Sequence, residues 1–104
     1  MKYEIQQLIN RNYESTCKRG KITRETSHKD FCDKIDEELT ELNHELHLST
    51  DYYERVKDYP LLRNNADLEV TDIILTCLNY LVHSGYDPIK LMKEKISYNE
   101  TRTD

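Results

Sequence analysis

The stretch Asp36-Glu37-Glu38-Leu39-Thr40-Glu41-Leu42-Asn43-His44-Glu45 decides how the chain is read. Leu39 and Leu42 continue an apolar series that starts at Phe31 and Ile35 and goes on to Leu46. Steps of three and four put such residues on one side of a helix. The same turns carry a Glu-Glu-x-x-Glu pattern in Glu37, Glu38 and Glu41. A helical wheel at about 100° per residue separates these three. Glu37 falls on the solvent side, Glu38 at the edge of the apolar stripe between Ile35 and Leu42, and Glu41 one step further round near Lys34 and Glu45.

The same helix grammar extends in both directions. The 104 residues suit one domain with one modest core, and 34% are charged with only two Gly and two Pro. Few turn formers and many Glu, Lys and Leu predict helices joined by short loops. Tyr3 to about Arg19 is a short amphipathic helix on Ile5, Leu8, Ile9 and Tyr13, which Gly20 terminates. A basic connector with Lys21 and Arg24 leads to Ser27, a capping residue, with Asp30 in the first turn. The second helix is predicted from about His28 to Leu48.

Ser49 to Arg63 reads as a loop with some ordered structure, a helical turn near Tyr52 and Tyr53 being ended by Pro60. A third helix is predicted over Asn65–His83. It is apolar nearly all round through Val70, Ile73, Ile74, Leu75, Cys77, Leu78, Leu81 and Val82, as expected in the middle of a bundle or at an oligomer interface. Ser84-Gly85 closes it, and Asp87-Pro88 restarts a fourth helix with Ile89, Met92 and Ile96 on one face. The expected fold is all-α, a single domain over 1–104 built as a four-to-five-helix bundle.

Several function classes are disfavoured. A formal charge of −5 speaks against nucleic acid as an obligate partner, because phosphate backbones require clustered Lys and Arg. Cys17, Cys32 and Cys77 are odd in number and form no Cys-x-x-Cys pair, so reduced, buried thiols are expected rather than disulfides or structural zinc. No apolar run approaches the roughly 18–20 residues that a membrane span needs. Met1 leads straight into a polar helix pattern, so the expectation is a cytoplasmic protein without membrane association.

The third helix carries the sharpest single feature. Glu69 and Asp72 share a narrow polar lane with Asn65, Thr76, Asn79 and His83 on an otherwise apolar helix. A carboxylate in such surroundings is costly unless it is paired or bound to a metal. Two helices bringing Glu38 and Glu41 beside Glu69 and Asp72 would make a four-carboxylate cluster that a cation holds together.

Glu37-Glu38-x-x-Glu41, then 27 residues, then Glu69-x-x-Asp72 resembles the signature of the MazG-like, all-α nucleoside triphosphate pyrophosphohydrolases. Phe31-x-x-Lys34-Ile35-x-Glu37-Glu38 resembles the lead-in to their first motif. Lys95-x-x-x-Asn99-x-x-Arg102 resembles the Lys-Asn-Arg segment after their fourth helix.

The resemblance implies hydrolysis of a ribo- or deoxynucleoside triphosphate between its α and β phosphates, giving a monophosphate and pyrophosphate. It implies Mg²⁺, with Mn²⁺ as a substitute, held by Glu38, Glu41, Glu69 and Asp72. Glu41, alongside Glu38, is the candidate catalytic base. Lys95, Asn99 and Arg102 are the candidate phosphate contacts and Lys34 a further candidate substrate contact, with Thr76 and Asn79 on the nucleobase. It also implies a homo-dimer or homo-tetramer and a role in the nucleotide pool. The sequence departs from the family in lacking Trp to stack on a base, a role left to tyrosines such as Tyr80 and Tyr98.

The rival metal chemistry is a di-iron carboxylate bundle, since Glu25-x-x-His28 and Glu41-x-x-His44 both match its Glu-x-x-His element. Those elements must face each other from different helices, and here they lie on one helix and its approach. His44, His47 and His83 then read as surface or packing residues. The non-enzymatic alternative is a helical nucleotide-binding or protein-interaction module of the same fold that has lost turnover.

Overall fold

The computed structural model describes residues 2–44, 54–63 and 65–103. These form α1 (Lys2–Lys18), α2 (His28–His44), a 3-10 turn over Pro60–Arg63, α3 (Asn65–His83) and α4 (Pro88–Glu100). The chain is all-α, with no strand among the described residues. The expected continuation of α2 to Leu48 and the turn at Tyr52-Tyr53 lie outside them. None of the described helices is long and apolar enough to cross a membrane.

Local chemistry sets the helix ends. At the start of α2, Ser27 Oγ accepts from the Asp30 amide at 3.2 Å, while Asp30 Oδ2 accepts from the Ser27 amide at 2.8 Å. This reciprocal pair is a capping box with Asp in the acidic position. The hydrogen bond from the Ser27 amide, with a further one from the Ser27 side chain, pulls the Asp30 carboxyl below its ordinary value. Asp87 caps α4 by accepting from the Ile89 and Lys90 amides, with Pro88 in the first turn, where its missing N–H costs nothing.

Helices α1 and α3 stop alike. Gly20 and Gly85 sit at φ 76° and 88°, conformations that a Cβ disfavours. Each donates back to close the turn, Gly20 to the Cys17 carbonyl and Gly85 to that of Val82. The next amides, of Lys21 and Tyr86, reach Thr16 and Leu81 at 3.1 and 3.0 Å. Both pairs make a Schellman motif.

Two compact units divide the chain: residues 1–25 with 78–104, and residues 26–77. In the first, Ile9 and Ile22 are buried and α1 is tied to the end of α3 by polar contacts. Asn79 Oδ1 accepts from Asn12 at 2.8 Å and Asn79 Nδ2 donates to Thr16 Oγ1 at 3.0 Å. Tyr13 and His83 share a 2.9 Å hydrogen bond. Burial, with Cys17 adjacent, pushes the Tyr13 hydroxyl up.

The second unit contains α2, the 3-10 turn and the first part of α3, and it buries Phe31 and Val56. The expected apolar stripe of α2 is covered unevenly: Phe31 is buried, Ile35 and Leu42 are half-buried, and Leu39 is 45% exposed. Glu38 lies deeper than any of them except Phe31.

One expectation changes. The thiols are free but not buried: Cys32 and Cys77 are exposed and Cys17 is half-buried. Cys77 follows Val70 and Ile74 at helical spacing on one exposed side of α3. That helix therefore keeps an apolar stripe which the described residues leave uncovered.

Candidate metal centre

The second unit brings Glu38 and Glu41 of α2 together with Glu69 of α3. One carboxylate oxygen from each lies within 4.8 Å of the other two. The helical phase separates the α2 glutamates as the wheel requires: Glu37 is exposed, Glu38 is 5% exposed and Glu41 is half-buried. Glu69 is 8% exposed.

Three carboxylates so close cannot all carry charge without a cation. Burial, with hydrogen bonds to Glu38 and Glu41 and their charge, pushes the Glu69 carboxyl up to about 8, so it keeps its proton at neutral pH. Burial also works against an ionised Glu38. The hydrogen bond from Glu69 and the ion pair with Lys34 outweigh it and hold Glu38 below its ordinary value. Lys34 Nζ lies 2.9 Å from Glu38 Oε1 and 3.5 Å from Glu37 Oε2. One oxygen is left over: Glu69 Oε2 is buried with no hydrogen-bond partner. An orphaned buried acceptor is rare in folded proteins and costs about 1–3 kcal/mol.

The other residues singled out from the sequence divide into groups. Asp72, one turn beyond Glu69 on α3, is half-buried and stands outside the group of mutually close oxygens. Thr76 is half-buried a turn further on. Asn79 is 5% exposed, and both ends of its amide are engaged by Asn12 and Thr16.

Lys95, Asn99 and Arg102 cluster around Tyr98 at the exposed end of α4. Lys95 Nζ lies 4.9 Å from the Tyr98 ring centre and Arg102 Cζ 5.8 Å, and Arg102 donates to Asn99 Oδ1 at 3.4 Å. The Tyr13–His83 pair escaped notice in the sequence, where nothing links residues 70 positions apart.

Chemically, the three glutamates offer a hard, all-oxygen donor set with a vacant acceptor. Divalent Mg²⁺ and Mn²⁺ favour such a set, and softer metals that seek Cys or His do not. No family model, curated protein or solved structure matches the chain.

Proposed function

We propose that the chain is a Mg²⁺-dependent nucleoside triphosphate pyrophosphohydrolase with the all-α, MazG-like architecture that its acidic motifs resemble. The observation that carries this reading is the Glu38–Glu41–Glu69 cluster, with Glu38 and Glu69 buried and one Glu69 oxygen unpartnered. That oxygen has no hydrogen-bond partner among the described residues, and a cation would compensate it.

Glu38, Glu41 and Glu69 would hold the ion, joined by Asp72 from the next turn of α3. When bound, the ion supplies positive charge that polarises the phosphoryl group and eases deprotonation of an attacking water. The chain's own residues do the rest. Glu69 gives up its proton to become a ligand, and Glu38 is already ionised. Glu41, less buried than either, accepts the proton that the attacking water loses. Thr76 is retained as a contact for the nucleobase. Asn79 uses one donor and one acceptor of its amide in holding α1 to α3.

The reading extends to assembly. Leu39, Val70 and Ile74 are 44–54% exposed, apolar surface that a second copy of the chain would cover. Sedimentation equilibrium should find a dimer or tetramer.

The decisive experiment incubates the purified protein with each standard and modified nucleoside triphosphate and Mg²⁺, and measures pyrophosphate. Release from at least one, lost in Asp72→Ala, is the expected result. No release from any of them, together with no stabilisation by Mg²⁺ or Mn²⁺, overturns the proposal.

A further inference from the structure

Lys34 brings a cation to the glutamate cluster. Its ammonium bridges Glu37 and Glu38, at 3.5 and 2.9 Å, from a side chain that is 50% exposed. The attraction lies in Glu38, whose side chain is only 7% exposed and needs a counter-charge. By contrast Lys29, paired with Asp33 on the same helix at 2.8 Å, joins two exposed groups and neutralises nothing buried.

We propose that Lys34 is a built-in counter-ion, which occupies Glu38 in the metal-free protein and is displaced when a divalent cation enters. The inference rests on the cation-binding reading above and adds to it a positioning residue that sets the metal affinity. A lysine is suited to this exchange. Its charge is compact, its four-carbon stem is flexible, and its half-exposed head can return to water without leaving an unpaired buried charge behind. An ammonium and a metal ion draw on the same carboxylate, so each must weaken the other's hold. The metal-free centre is thereby kept folded, and the cost of displacing Lys34 limits how tightly a metal binds.

The test compares wild type with Lys34→Met and Lys34→Arg, and activity plays no part in it. Mn²⁺ binding is followed by electron paramagnetic resonance, and thermal unfolding is recorded with and without Mg²⁺. Lys34→Met should lower the metal-free melting temperature, enlarge the rise that Mg²⁺ produces, and bind Mn²⁺ about five-fold more tightly. Lys34→Arg, which keeps the charge, should stay near wild type. If wild type binds Mn²⁺ and Lys34→Met binds it equally or more weakly, the exchange is wrong and the metal centre stands. If wild type binds no Mn²⁺ at millimolar concentrations, the metal centre falls and the exchange with it.

Discussion

Helix α3 buries a polar side chain near each end, Glu69 at 8% exposure and Asn79 at 5%. The two are ten residues apart on one helix and equally withdrawn from water, yet their surroundings are opposite. Asn79 has a partner for each end of its amide, and the Thr16 hydroxyl that receives it passes its own hydrogen to the Asn12 carbonyl at 2.8 Å. The ring of contacts closes on itself. Glu69 faces two further acids and keeps a buried oxygen with no partner. A buried amide partnered at both ends holds helices in register. An unsaturated cluster of acids invites a ligand, and burial alone would not have told the two apart.

The comparison can be broken most directly through turnover. Glu69→Gln keeps the shape of the side chain but removes a ligand charge, and should lower pyrophosphate release roughly 100-fold or more in a steady-state assay. Retained activity would return Glu69 to the class of Asn79.

Stability should respond in the opposite sense at the two positions. Asn79→Ala leaves Asn12 and Thr16 without their partner and should cost about 1–3 kcal/mol in urea unfolding, a deficit that Mg²⁺ does not repair. Glu69→Leu removes a buried acid from beside two others. It should leave the metal-free protein as stable as wild type or up to about 1 kcal/mol more stable, and abolish the response to Mg²⁺.

A pH series sharpens the contrast further. The folded chain holds the Glu69 proton up to about 8, while a glutamate of ordinary value releases it near 4.5. Between those values the folded state binds more protons than the unfolded one, so metal-free stability should fall as pH rises through that window. Glu38 acts in the other direction. Its carboxyl is held low, so its contribution is present above its ordinary value and is lost only in acid below about 4.5. Melting temperatures of wild type should therefore decline from mildly acid to mildly alkaline pH, those of Glu69→Gln should stay level there, and Mg²⁺ should stabilise wild type more at the alkaline end.

The smallest effect concerns a helix end remote from this chemistry. Asp87→Ala removes the cap of α4 and should cost about 1 kcal/mol in thermal unfolding, with no change in the Mg²⁺ response.

What the sequence determined by itself is the set of helices and much of their punctuation. Ser27 and Asp30, Asp87 and Pro88, and the glycines at 20 and 85 act within a few residues, so their effect is legible without knowing what lies nearby. The spacing of Glu37, Glu38 and Glu41 likewise turned one glutamate outward and another inward, because a helix has a fixed angular step.

Only tertiary structure decided how deep each side chain sits. Leu39 follows the apolar period yet is 45% exposed, while Glu38, placed by its phase at the edge of the stripe, is buried. The close approach of Glu69 to the α2 glutamates, the position of Asp72 outside that group, and the exposure of Cys32 and Cys77 were settled in the same way. The physical reason is that helical period and capping are local, whereas burial depends on which surface arrives opposite, and that is set by residues distant in the chain.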